Sequence, residues 1–104
     1  MIAPIYLPHG VNVKKLTVYL TDNTDRDEAR MSIILGRHDL RMGAREELAG
    51  ISTRGDPASP AQIERSATTI SNARIDNDKY SYHLDVIFGM HDPNLKFHGA
   101  KIYY

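Results

Sequence analysis

Alternation of apolar and polar residues is the feature that most restricts what this chain can fold into. It is clearest between Tyr80 and Phe88, where every second residue is large and apolar. Successive side chains of a β-strand point to opposite faces of its sheet, so the pattern predicts a strand with one face in a core. The inward residues of this strand are Tyr80, Tyr82, Leu84, Val86 and Phe88.

The same period recurs along most of the chain. It predicts strands at 2–7, 13–21, 29–35, 44–53 and 95–104, of which 44–53 has the weakest pattern. Together with the strand at 80–88, these segments supply the expected core. The inward residues named for that core are Leu16, Val18, Leu20, Met31, Ile33, Leu35, Tyr82, Leu84, Val86, Phe88, Leu95 and Phe97.

The segment 63–70 fits two structures. Thr68 to Ile70 favour extended backbone, and we prefer a strand here. The alternative is one short helix near 60–67, with Ser59 as its N-cap and Pro60 as its first residue.

Clusters of turn-forming residues separate the strands at roughly regular intervals, which is typical of a sandwich or barrel. We predict an all-β fold, an antiparallel β-sandwich that is jelly-roll-like and has about seven to eight strands. A length of 104 residues suits a single domain, 1–104. We also expect the last two strands to pair as a hairpin, which would place Phe88 opposite Leu95 and Asp85 opposite His98.

Four residues have predicted structural roles. Gly10 follows Pro8 and suits a turn, whereas Gly99 lies where the alternation changes phase, which indicates a β-bulge. We expect Gly99→Val to cost at least about 1 kcal/mol, because some bulges require positive φ. Asp76 precedes Tyr80 by four residues, a spacing similar to that of the tyrosine corner in sandwiches.

The composition excludes several classes of protein. Lys plus Arg and Asp plus Glu both number 13, so the formal net charge is zero. We therefore expect no nucleic-acid partner and no charge barrier to self-association. The absence of cysteine excludes disulfides, thiolate zinc sites and cysteine nucleophiles. We expect no membrane span, because the longest apolar run, Ile33 to Leu35, is far too short.

Several segments share their turn and core residues with a known group of domains. These segments are 3–10, 16–19, 22–23, 70–73, 75–77, 80–82 and 95–104. They resemble poorly characterised small β-sandwich domains in bacterial surface, secreted or tail-fibre-like proteins. The resemblance implies a domain that displays, binds or assembles, at an extracellular location or on a particle or cell surface. It implies no catalytic residues.

The acidic loop after the second strand concentrates oxygen ligands of the kind that calcium binds. Its candidate metal ligands are Asp22, Asn23, Asp25 and Asp27, although the loop does not match an EF-hand. The simpler interpretation is a polar turn. We therefore expect no cofactor, with calcium at this loop as the alternative, and we expect the protein to fold without metal.

Other candidate sites are weaker. The five histidines, His9, His38, His83, His91 and His98, have no metal-binding spacing. The tripeptide 54–56 reads Arg-Gly-Asp, which integrins recognise but which also occurs by chance. Tyr19 and Tyr103 are expected to point outward, where a ring could stack on a sugar.

We therefore expect a protein that is not an enzyme. It would be an assembly or display module that forms a homo-oligomer, with a trimer favoured, through sheet faces or edges. The apolar residues Ile34 and Ile87 on otherwise polar faces support this. The alternative is a lectin-like module for a carbohydrate or surface receptor, and a metal-dependent hydrolase comes third.

Overall fold

Seven strands account for the regular structure in the part of the chain that the structure describes. The computed structural model describes residues 2–24, 30–53, 58, 60–89 and 94–104. The strands are β1 (Ile2–Ile5), β2 (Lys15–Asp22), β3 (Met31–Asp39), β4 (Arg45–Ser52), β5 (Ile63–Ala67), β6 (Tyr80–Phe88) and β7 (Leu95–Tyr103). The described residues contain no helix, which confirms the all-β prediction. The segment 63–70, for which a strand was preferred, forms β5 over its first five residues.

The strands form two antiparallel sheets. One sheet has the order β1-β6-β3-β4 and the other has the order β5-β2-β7. The pairs β3–β4, β2–β5 and β1–β6 are nested in the chain, and β7 lies along the remaining edge of β2. This confirms the antiparallel β-sandwich, whereas the jelly-roll form stays a prediction.

A single core lies between the sheets, because residues from both belong to one buried cluster. Ten of the twelve predicted core residues are buried and Phe97 is partly buried, but Phe88 is 42% exposed. Phe88 is the last residue of β6 and pairs with the buried Met31 at the end of the β3–β6 ladder, so its side chain lies at the border of the core. The buried apolar residues that the pattern missed are Leu7, Val13, Leu48, Ala49 and Ile75.

The predicted hairpin of the last two strands is wrong. β6 lies between β1 and β3, whereas β7 pairs with β2 in the other sheet. Asp85 is therefore opposite Ile34, and the His98 ring is hydrogen-bonded to the Thr21 hydroxyl at 2.9 Å. A sandwich requires connections that cross between its sheets, and the connection from β6 to β7 is one of them.

Both sheets contain a bulge. In β7, Phe97 pairs with Leu20 and Gly99 pairs with Tyr19, so His98 is the extra residue, in agreement with the phase change. However, Gly99 does not have positive φ, and a Cβ there would meet nothing within 4 Å. The physical reason for requiring glycine at this position is therefore absent.

Two turn features hold the loops at one end of the sandwich. Gly10 has φ of 86°, a conformation that favours glycine. The Asp76 backbone N–H donates to the Tyr82 hydroxyl at 2.9 Å, and the Tyr80 N–H donates to the Asp76 carbonyl at 3.1 Å. The hydroxyl contact expected near Tyr80 is thus made by Tyr82.

Candidate functional site

The outer face of the four-stranded sheet, here called the four-strand face, combines apolar and small residues. Ile2, Asp85, Ile34 and Gly50 form one row across its strands, and Ile87 is the next outward residue on β6. Ile2 and Ile87 are 55% and 43% exposed, and Ile34 is partly buried. Apolar side chains therefore border Asp85 on several sides, in a position open to solvent.

Two glycines flatten the middle of the four-strand face. A Cβ on Gly36 would lie 2.7 Å from Nε2 of His83 and 3.1 Å from the Glu46 carbonyl oxygen. On Gly50 it would overlap the carboxylate of Glu47. The side chains of His83 and Glu47 thus lie across the sheet, where they help to line a shallow depression of about 220 Å³.

Opposite charges share this face. Arg45, Glu47 and Asp85 line the depression together with His83. Burial lowers the pKa of His83, as does the positive charge of Arg45, while Asp85 acts in the opposite direction. The imidazole is therefore uncharged near neutral pH, which leaves Arg45 with the carboxylates of Glu47 and Asp85, while Glu46 is paired with Arg37.

The edges of the sheets are protected against pairing with another strand. β1 has four residues and contains Pro4, which has no N–H to donate. β5 has five residues and carries Glu64 and Arg65. The long edge strands β4 and β7 both contain a bulge, and β7 also carries Lys96 and Lys101. Short strands, charges, proline and bulges are the usual devices against edge-to-edge association.

A second concave region, here called the loop-end cleft, has a volume of about 350 Å³. Segments far apart in the chain form it: the turn near residue 9, the loop before β6, and β3. Its lining residues are His9, Arg37, Arg74, Ile75, Asp76, Asp78, Lys79 and Tyr80.

Arg37 forms one wall of the cleft. Its Nη2 is 3.0 Å from Oε2 of Glu46, and its guanidinium lies 3.7 Å from the centre of the Tyr80 ring. The Asn72 amide donates to the same Glu46 oxygen at 3.2 Å. These contacts fix the guanidinium in place, although its buried Nε has no hydrogen-bond partner among the described residues.

His9, Asp76 and Asp78 bring potential metal ligands within 4.8 Å of one another. However, His9 Nδ1 accepts from the Asn77 backbone N–H at 3.1 Å. A neutral imidazole that accepts at Nδ1 carries its proton on Nε2, so neither nitrogen has a free lone pair for a metal. Asp76 Oδ1 in turn accepts from the Asp78 N–H at 3.1 Å. The cluster therefore already functions as a hydrogen-bonded turn.

Tyr19 and Tyr103 share the outer face of the three-stranded sheet, as the alternation predicted. Each ring has a lysine near it: Lys101 Nζ is 5.7 Å from the centre of Tyr19, and Lys15 Nζ is 4.4 Å from that of Tyr103. These cation–π contacts compete for the ring faces that a sugar would stack on.

The proposed calcium loop is only partly within the described residues. Asp22 is 5% exposed, and its Oδ1 accepts from the Thr24 N–H at 3.3 Å. Asn23 is exposed and its N–H donates to the Asn94 carbonyl. Asp25 and Asp27 lie outside the described residues. The contact of Asp22 is that of a turn, whereas the contact of Asn23 continues the pairing of β2 with β7.

Among the other candidates, the structure brings His38 and His83 to the four-strand face. His9 lies at the loop-end cleft and His98 lies beside Thr21, whereas His91 and the tripeptide 54–56 lie outside the described residues.

Sequence reasoning missed Gly36, Gly50 and Arg37. A glycine inside a strand pattern is a known sign of close approach, and it could have identified the first two. Arg37 gives no local signal, because its partners are far away in the sequence.

Comparison with protein-family models, curated proteins and solved structures gives no match to this chain. The resemblance to bacterial surface and tail-fibre-like domains stays a prediction. In the parts of the chain that the structure describes, no helix has the length and apolar character needed to cross a membrane.

Proposed function

We propose that this protein is an assembly module that forms a homodimer through the four-strand face. The observation that carries the proposal is the exposure of Ile2 and Ile87 on the same sheet face as a depression lined by Gly36 and Ile34. Apolar area that stays in water costs about 25 cal/mol per Å², and a second flat face can remove it.

The face supports this role better than the edges do. All four edge strands are short, charged or bulged, features that oppose edge-to-edge pairing. The sequence left association by faces and by edges open, and the protected edges favour the face.

The face also suits a second copy of itself. It carries Arg45 together with Asp85 and Glu47, so a two-fold arrangement can place the cation of one copy against an anion of the other. A self-complementary face closes after two copies. We therefore propose a dimer in place of the trimer expected from the sequence.

The area of the four-strand face limits the affinity of the dimer. Strands about 4.8 Å apart, three of eight or nine residues and one of four, cover roughly 500 Å² per copy. Two copies would bury about 1,000 Å², near the lower limit for a specific interface. The dimer is therefore expected to be reversible and to depend on concentration.

Sedimentation velocity from low micromolar to submillimolar concentration tests the proposal. The parent should move from the 11.7 kDa monomer toward twice that mass. Ile87→Lys should remain monomeric, because it would bury an unpaired charge in the interface. The matched control is Tyr103→Lys, at a residue 40% exposed on the other sheet, against 43% for Ile87, and it should dimerise like the parent. A parent that is monomeric throughout, or a dimer broken only by Tyr103→Lys, contradicts the proposal.

A further inference from the structure

The loop-end cleft is separate from the proposed dimer interface. It shares no lining residue with the depression on the four-strand face. An adjoining cleft of about 530 Å³ shares three of its residues, Asp78, Lys79 and Tyr80, and extends toward the β3–β4 turn. Both volumes lie within the range of small-molecule sites, and a dimer would leave them open.

The charges of the loop-end cleft balance. Arg37 is neutralised by Glu46, which leaves Arg74 and Lys79 as cations against Asp76 and Asp78 as anions. A site for a phosphate or another anion would have an excess of positive charge, and a cation site would have an excess of negative charge. A balanced set of hydrogen-bond donors and acceptors suits a neutral ligand with many hydroxyls, because each hydroxyl both donates and accepts.

The framework of the cleft is held in place before any ligand binds. The Asn77 side chain donates to the Leu7 carbonyl at 2.8 Å, which ties the turn near residue 9 to the loop before β6. Arg37 is fixed by Glu46 and lies against Tyr80. Preorganisation of this kind lowers the entropy cost of binding.

A metal is a weaker occupant. His9 accepts a backbone hydrogen bond at Nδ1, and Asp76 Oδ1 is also engaged. The outward groups still available along the rim are the exposed side chains of Asp78, Lys79 and Arg74. A carboxylate beside two cationic donors can bind adjacent hydroxyls of one sugar ring.

We propose that the loop-end cleft binds a neutral polyhydroxyl ligand, such as a terminal sugar of a glycan. Asp78 accepts from its hydroxyls, and Lys79 and Arg74 donate to them. The partly exposed Tyr80 ring, one face of which lies against Arg37, supplies the apolar contact. The assembly module would then present two such clefts when it dimerises. The proposal does not depend on the dimer, because one chain forms the whole cleft.

Amide NMR titration of the full chain tests this site. The probes are glucose, methyl α-mannoside, methyl β-galactoside and N-acetylglucosamine, each up to tens of millimolar, the range expected for one ring in a shallow site. At least one should give saturable shifts at the amides of residues 76–80. Asp78→Ala should weaken that binding about tenfold or more, as expected for a lost hydrogen bond to a charged group.

Glu64→Ala is the matched control, since it removes an exposed carboxylate from β5, and it should bind like the parent. Lys79→Met provides a second variant of the cleft, and it should also weaken binding. Calcium chloride, zinc chloride and inorganic phosphate are titrated in parallel. Saturation of these amides by any of the three ions, or no saturable shift with all four sugars, overturns the proposal.

Discussion

The outer faces of the two sheets are covered in opposite ways. On the three-stranded sheet, long side chains cover their neighbours: Lys101 extends toward the Tyr19 ring and Lys15 toward the Tyr103 ring. Thr17, between these pairs, is completely buried although it belongs to the outward set, and its hydroxyl is 2.8 Å from that of Ser66. The side chains of this sheet therefore cover part of its own outer face.

At the centre of the four-strand face, no lysine side chain covers a neighbouring ring in this way among the described residues. Gly36 and Gly50 provide no side chains, and those of His83 and Glu47 lie flat across them. Exposed isoleucine therefore stays at the surface beside this floor. The contrast favours the four-strand face as the one suited to a partner, because its exposed apolar side chains are aliphatic, whereas the exposed Tyr103 ring has Lys15 over it.

The largest expected loss of stability comes from substitutions in the core that both sheets share. Leu16→Ala on β2 and Leu35→Ala on β3 should each lower the free energy of unfolding by about 2–5 kcal/mol, because both side chains are fully buried in one core. Chemical denaturation measures the change. A loss below about 1 kcal/mol for either variant would mean that one sheet contributes little to that core.

Matched glycine substitutions distinguish the two outer faces. Gly36→Val should cost about 1–3 kcal/mol, because the added carbons meet His83 and the Glu46 carbonyl oxygen. Gly99→Val should be neutral or slightly stabilising, since its Cβ faces open space and its φ is not positive. This reverses the loss expected from the sequence. Thermal melting of both variants checks the difference, and equal melting temperatures would contradict it.

A smaller loss of stability is expected from the hydroxyl pair on the outer face of the three-stranded sheet. Thr17→Val keeps the shape of the side chain but removes its hydrogen bond to Ser66. The expected cost is about 0.5–1.5 kcal/mol. Ser32→Val, at a partly buried outward position on β3, is the comparison and should cost less. Urea denaturation of both variants is the measurement, and the opposite ranking would show that the hydroxyl pair contributes nothing.

The smallest effect concerns pH. Burial and Arg45 lower the pKa of His83, so the unfolded chain binds a proton more readily than the folded one. His83 therefore contributes stability above the unfolded pKa of about 6.5, and this is lost as pH falls below that value toward the lower folded pKa. His83→Gln should reduce the slope of unfolding free energy against pH in this window. An unchanged slope would mean that the ring is as well solvated in the fold as in the unfolded chain.

Most of the strands could be predicted because alternation is a local property. Burial of every second residue appears directly in the order of side chains, as at Leu16, Val18 and Leu20. The register shift beside Gly99 was also visible, because an extra residue changes the phase of the pattern. The candidate site was harder to predict from the sequence. Tyr19 and Tyr103 were expected on an outer face, but the loop-end cleft was not predicted.

By itself, the sequence determined the all-β class, the positions of most strands and the faces that they bury. Only the tertiary structure decided which strands are neighbours, and so placed β6 beside β3 and β7 beside β2. It also brought His9 next to Asn77 and laid His83 over Gly36. The physical reason is that alternation specifies which side of a strand avoids water, whereas the partner of a strand depends on packing across the whole core.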